Sequence, residues 1–78
     1  MTDNNYFARI IGTSASDCET SMMLQAGHSP VKTLNEIAGA LHYMNQHQIE
    51  KISHRRALVK AGRKALAVLG EATKLEEA

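Results

Sequence analysis

The fold of this chain is decided by residues 33–74, which read TLNEIAGALHYMNQHQIEKISHRRALVKAGRKALAVLGEATK. Apolar side chains recur in this stretch at the 3.6-residue period of an α-helix and form two faces. The first face comprises Leu34, Ile37, Ala38, Leu41 and Met44, and the second comprises Leu58, Ala61, Gly62, Ala65, Leu66, Leu69 and Ala72. The pattern predicts two helices, near residues 34–48 and 54–74, whose apolar faces form a core.

Polar residues at the start of each helix support this prediction. Thr33 with Glu36 three residues later is a capping-box pattern, and Ser53 can cap the second helix. Small residues on a contact face let helix axes approach closely, so Gly62 and its alanine neighbours are expected to face a partner helix. Alternatively, Gly62 is merely tolerated there. Residues 33–75 are therefore predicted to form an antiparallel helical hairpin.

A loop is predicted at residues 27–30, which hold the only proline of the chain. Before this loop, Ser16 and Glu19 form another capping-box pattern. One helical face in the same stretch comprises Ala15, Cys18, Met22 and Ala26. A short helix is therefore predicted within residues 13–26, closed by Gly27.

Residues 1–12 form an ambiguous, weakly patterned N-terminus. Phe7, Ile10 and Ile11 have the i, i+3, i+4 spacing of a helical face, which favours a helix, but residues 6–11 are also short enough to be a strand ending at Gly12. We treat it as an uncertain or flexible segment. The prediction for residues 1–78 is one all-α domain, either a small helical hairpin or a three- to four-helix bundle.

The size and composition of the chain limit its core. At 78 residues, folding buries only about 60% of the surface that the unfolded chain exposes. The chain has one Phe, two Tyr and no Trp, so a second copy would supply missing core, and a homodimer is predicted. Its single cysteine cannot form an internal disulfide, which fits a reducing compartment. Without a signal-peptide pattern or about 20 consecutive apolar residues, the chain is expected to be cytoplasmic and to bind no membrane.

The sequence contains no motif that is typical of catalysis. It lacks a glycine-rich phosphate loop, a nucleophile motif and a paired-carboxylate signature. The four histidines lack the spacing of metal ligands, since His42 and His47 point about 140° apart on a helix. No enzymatic activity, no cofactor and no metal site is predicted.

The charge distribution provides the main functional signal. The net charge is +1, yet residues 51–64 carry six Lys or Arg residues and no acid. The predicted partner or nucleic-acid contacts are Arg55, Arg56, Lys60, Arg63 and Lys64. Clustered cations on one helix side indicate a surface for an acidic partner, and the alternative is an ordinary solvated face.

A second candidate surface lies on the first predicted helix, where Gly39, Tyr43 and Gln46 point away from its apolar face. Tyrosine offers a large, stiff contact area, and Gly39 leaves a depression in which a partner could sit. Alternatively, the N-terminal segment folds back over this face and makes Tyr43 a core residue.

Two functions are compatible with these patterns. The preferred hypothesis is a small regulatory, adaptor or inhibitor protein, of the kind that phages and plasmids encode, which binds an acidic protein partner through helical surfaces. The alternative is a DNA-binding transcriptional regulator. Residues 36–41, followed by two isoleucines and Arg55 and Arg56, are loosely similar to a helix-turn-helix unit in which helix 54–74 would enter DNA. The connecting residues 42–48 lack the glycine that such turns often contain.

Overall fold

A computed structural model describes the backbone of residues 4–77 and the side chains of residues 6–71. Over this range the chain is all-α, and no strand is present. In chain order the helices are α1 (Asn4–Gly12), α2 (Ala15–His28), α3 (Pro30–Gln46) and α4 (Ile52–Glu77). Their radius of gyration is 13.1 Å, so they form a small bundle, as predicted. None of these four helices is long and apolar enough to cross a membrane.

The N-terminal segment forms α1, so the preference for a helix over a strand is confirmed for the described part of residues 1–12. Residues 1–3 lie outside the described range. Ile11 is buried in the core, and Phe7 and Ile10 pack against it as half-buried side chains. The i, i+3, i+4 pattern of this segment therefore marks the face that packs on the bundle.

Helix α2 has the predicted buried face but a different start. Ser14, not Ser16, is its N-cap, and the Ser14 hydroxyl oxygen accepts a hydrogen bond from the backbone N–H of Asp17 at 3.1 Å. The two serines compete for the same role, and the extended backbone of Ser14 fits an N-cap. The helix also continues through Gly27 to His28.

Helix α3 starts three residues before the predicted cap. Pro30 occupies the first turn, where the missing N–H of proline costs no hydrogen bond. Thr33 is therefore an interior residue, and its hydroxyl donates to the carbonyl oxygen of Ser29 at 2.8 Å. Glu36 is likewise buried, so the predicted capping box is wrong. The predicted loop at residues 27–30 shrinks to Ser29 between two helices.

The buried sides of α3 and α4 are rotated relative to the predicted apolar faces. Ala38 is exposed and Leu66 is 59% exposed, although both were expected in the core. Instead, α3 buries Thr33, Glu36, Ile37, Ala40 and Met44, and α4 buries His54, Ala57, Leu58, Ala61, Gly62 and Ala65. Periodicity could not predict this rotation, because it treats a polar side chain as exposed even when hydrogen bonds satisfy it in the interior. The side chain of Ala72 lies outside the described residues.

The helix directions follow from contacts made along α4. Thr13, Glu19 and Gly27 meet His54, Lys60 and Lys64 respectively, so α2 runs parallel to α4, and this pair packs most extensively. Helix α3 runs antiparallel to both, because its end meets Arg55 and its first half meets Gly62.

Gly62 faces α3, but close approach of the helices does not require it. A Cβ atom added there would lie 3.7 Å from Cδ1 of Ile37 and 3.9 Å from Cδ2 of Leu34, which are ordinary contact distances. Gly62 is therefore tolerated at this contact, as the alternative interpretation held.

Candidate functional site

The surface predicted around Gly39 is covered by α1 of the same chain. A Cβ atom added to Gly39 would lie only 3.0 Å from Cε1 of Phe7. The Phe7 ring also packs 6.1 Å from that of Tyr43, which in turn lies 4.3 Å from the His47 ring. Phe7 thus fills the depression that a partner was expected to occupy, and Tyr43 belongs to an internal contact. Only Gln46 of the three predicted residues remains exposed.

Glu36 forms a polar network that joins α1, α2 and α3. Its Oε2 atom accepts a hydrogen bond from the Tyr6 hydroxyl at 2.6 Å and another from Nε2 of Gln25 at 2.6 Å. Burial, followed by the hydrogen bond to Glu36 and the charge of that carboxylate, raises the pKa of Tyr6 to about 12. The sequence gives no local signal for this network, because its members are 11 and 30 residues apart.

The end of α1 is held by two basic side chains near the start of α4. Nζ of Lys51 donates to the carbonyl oxygen of Ile11 at 3.0 Å, and Nε2 of His54 lies 2.6 Å from the carbonyl oxygen of Thr13. Such donors satisfy carbonyl groups that have no partner within their own helix. Lys51, which belongs to the cationic run, therefore has a structural contact.

The five predicted cationic contact residues differ in how far the fold already uses them. Arg55 is half-buried, and its Nη2 atom donates to Oδ1 of Asn45 at 2.8 Å and to the carbonyl oxygen of Ile49 at 3.1 Å. These hydrogen bonds tie α4 to the end of α3 and the connection after it. Arg55 is therefore a structural clamp as well as a groove-lining residue.

Two lysines of the set pack along α2. Lys60 lies 3.5 Å from Glu19, and since both side chains are largely exposed this ion pair contributes little stability. The stem of Lys64 passes over Gly27, where an added Cβ would lie 3.6 Å from the lysine Cε atom. Their charged ends remain accessible.

Arg56 and Arg63 are exposed, and neither has a hydrogen bond or ion pair with any side chain or backbone group between residues 6 and 71. They are seven residues apart and therefore project from the same side of α4. Among the five predicted contact residues, these two guanidinium groups have no hydrogen bond, no ion pair and no packing contact of the kind that Lys64 makes at Gly27 within the described residues.

A shallow groove of about 490 Å³ runs along this side of α4. It is lined by Ile52, Arg55, Arg56, Val59, Lys60 and Arg63. Ile52 is 62% exposed and Val59 is 44% exposed, so apolar surface lies directly between the cations. We call this groove, together with the exposed Leu66 one further heptad along, the α4 outer face. The sequence predicted the cations of this face but not its exposed apolar residues. Ile52, Val59 and Leu66 are seven residues apart, and this spacing could have indicated that they share one side of the helix.

The remaining reactive groups offer little chemistry. Cys18 is buried, and its burial, together with the charge of Glu19, raises the pKa of its thiol, which keeps it neutral and a poor nucleophile. Across the described side chains, no three His, Cys, Asp or Glu residues come together as metal ligands.

No protein-family model, curated protein or solved structure matches the chain in comparisons with known proteins. The α4 outer face is therefore taken as the candidate functional site on the geometry alone. It combines exposed apolar side chains with Arg56 and Arg63, which have no hydrogen-bond or ion-pair partner among the described residues, whereas the Gly39 surface is covered by α1.

Proposed function

We propose that this chain is a non-enzymatic regulatory or adaptor protein that binds an acidic protein partner through the α4 outer face. One observation supports this most: Ile52 and Val59 are exposed between cationic side chains, of which Arg56 and Arg63 have no partner in the described part of the chain. Apolar anchors supply much of the affinity in protein complexes, while charges steer association and select partners. Both components are present on one helix face.

The apolar component distinguishes this proposal from nucleic-acid binding. A phosphate backbone needs cations and hydrogen-bond donors, and exposed Ile52, Val59 and Leu66 would gain little from it. A protein partner with carboxylates around an apolar centre would engage both kinds of side chain.

DNA binding remains the second candidate function, because six cations and no acid occur between residues 51 and 64. Helix-turn-helix units have a turn of three or four residues and helices that cross at about 90–120°. Here residues 47–51 separate α3 from α4. The helices touch both at Asn45 with Arg55 and at Leu34 with Gly62, which favours an antiparallel hairpin over a steep crossing.

Self-association stays a prediction. The small number of large apolar residues favours it, yet Met44 and Leu58 are fully buried within one chain, so the core does not depend on a second copy at these residues. A homodimer formed through the α4 outer face would bring Arg56 and Arg63 of both copies together, and this repulsion favours an acidic partner over a second copy. Sedimentation at high micromolar concentration measures which state forms.

The experiment is an affinity capture from the cell that makes the protein, with and without nuclease. A double variant, Arg56→Ala with Arg63→Ala, is compared with Arg9→Ala with Lys32→Ala, which removes the same charge from exposed positions on α1 and α3. We expect a nuclease-resistant protein that is lost with the first variant and retained with the second. Recovery of nucleic acid alone would support the DNA-binding regulator, and equal capture by both variants would contradict the proposed surface.

A further inference from the structure

Apolar side chains remain exposed in two straight rows along the hairpin of α3 and α4. On α3 the row contains Val31, which is 59% exposed, and the exposed Ala38. On α4 the row contains Ile52, Val59 and Leu66. Members of each row are seven residues apart, or about two helical turns, so each row follows its helix axis closely.

Both rows lie on the same outer side of the hairpin. Leu34 on α3 and Gly62 on α4 face each other across the helix contact. Ala38 and Leu66 follow these two residues by four positions, which is a rotation of about 40° away from the core on each helix. The contact between the helices therefore separates the core from the rows. The interhelical groove between the two rows adjoins the groove that α4 residues alone line.

The side chains between the two rows are apolar. Leu34 and Leu41 are half-buried beneath the rows, and Gly62 contributes no side chain. From Ile52 to Leu66 the α4 row extends about 21 Å, the length of a helix of about 15 residues. A third helix would bury both rows by packing its side chains between them.

Charge selects the partner for this groove. Arg56 and Arg63 are also seven residues apart and lie along its α4 edge, while the exposed Asn35 and His42 occupy the α3 edge. No Asp or Glu occurs between residues 51 and 70. A helix with carboxylates on one side would meet these arginines, whereas a second copy would bring the same two cations.

We infer that the groove binds an amphipathic acidic α-helix of a partner protein, with apolar residues spaced by three or four facing the rows and carboxylates along one edge. This inference rests on the proposed function. An extended peptide is a poorer fit, because the backbone groups of α3 and α4 are engaged within their helices and offer no strand edge for pairing. A helix brings its own backbone hydrogen bonds and needs only side-chain contacts.

The test uses a displayed library of random peptides of about 20 residues, a length that covers the groove, with the folded chain as bait. We expect the selected peptides to share helical apolar spacing with Asp or Glu on one flank, and to become helical on binding by circular dichroism. Val59→Glu and Ala38→Glu, one in each row, should each raise Kd by about tenfold or more. Leu24→Glu is the matched control, since Leu24 is 66% exposed on α2, and it should leave Kd unchanged.

Three results would overturn the inference: no enriched peptide, enrichment of proline-rich or unpatterned peptides, or equal binding by Val59→Glu and Leu24→Glu. These outcomes are separable from failure of the proposed function. If capture of the cellular protein still requires Arg56 and Arg63 while selected peptides are not helical, only the helical partner is wrong. If capture yields nucleic acid alone, both proposals fail.

Discussion

Two surfaces of the hairpin, the one at Gly39 and the α4 outer face, differ in how far the chain covers them with its own residues. At Gly39 the ring of Phe7 fills the space, and the neighbouring Glu36 receives hydrogen bonds from two other helices. On the α4 outer face, Ile52 and Val59 stay exposed, and Arg56 and Arg63 have no hydrogen-bond or ion-pair partner within residues 6–71. The first surface is covered by the chain itself, so the α4 outer face is the one proposed for an external partner.

The largest expected effect is on the free energy of unfolding, and it distinguishes the buried side of α4 from its exposed side. Leu58 is fully buried, so Leu58→Ala should lower the free energy of unfolding by about 2–5 kcal/mol, which is a large part of the stability of a small domain. Leu66→Ala makes the same chemical change at a 59% exposed position and should stay within about 0.5 kcal/mol of wild type. Urea unfolding measures both. Similar losses for the two variants would mean that the outer face is not open.

The next effect concerns the polar network on the inner side. Tyr6→Phe removes the hydrogen bond to Glu36 and should cost about 1.5 kcal/mol near neutral pH, the lower end for a bond to a charged group, because Tyr6 is only half-buried. The folded pKa of Tyr6, about 12, lies above its ordinary value of 10.0. The stabilisation is therefore fully present below pH 10 and is lost as the pH rises from about 10 to about 12.

Phenolate absorbance measures this titration directly. With Tyr43→Phe as background, Tyr6 is the only tyrosine that ionises. A midpoint near the ordinary value of 10.0 in the folded protein would contradict the contact with Glu36.

The two glycines should respond to alanine with opposite signs. Gly39→Ala pushes a methyl group against the ring of Phe7 and should lower stability by about 1 kcal/mol, since overpacking outweighs the gain in helix propensity. Gly62→Ala meets side chains only at contact distance and should raise stability by about 0.5–1 kcal/mol. Thermal unfolding of both variants checks the signs. A stabilising Gly39→Ala would show that α1 does not pack firmly there.

The smallest expected effect distinguishes two adjacent arginines. Arg55→Ala removes the hydrogen bonds to Asn45 and to the carbonyl oxygen of Ile49, and should cost about 0.5–1 kcal/mol. Arg56→Ala removes no contact within the described residues and should leave stability unchanged while weakening partner binding. Measuring both properties for both variants separates structural from functional cations. Equal stability losses would place Arg56 in the clamp as well.

The fold class was predictable because helical periodicity is a local property, and it places α2, α3 and α4 nearly where they are. Helix starts were less predictable, since Ser14 and Ser16 both stand three residues before an acid and only one can be the cap. The capping-box pattern of Thr33 and Glu36 predicted the wrong start for α3 for another reason. Glu36 serves a contact with Tyr6 that depends on tertiary structure, which no local spacing encodes.

The candidate site was predictable only in part. The cations from Arg55 to Lys64 stood out as a run without acids, but the sequence could not show that Arg55 is engaged and Arg56 is not. Nor could it show that Phe7 covers Gly39, because these residues are brought together by the packing of α1 on α3. The seven-residue spacing of Ile52 and Val59 could have predicted that they share one side of α4, but these residues lie within the cationic run, which is the more prominent pattern.

The parallel packing of α2 on α4 has a consequence for synthesis of the chain. A ribosome releases α2 and then all of α3 before it has made the helix that covers α2. Until residues 52–65 emerge, Cys18, Met22 and Ala26 lack most of their burial, and an emerging chain of this kind is a target for chaperones and proteases. The bundle can close only after α4 has appeared, so a product interrupted at the α3–α4 connection should be degraded and not accumulate as a folded fragment.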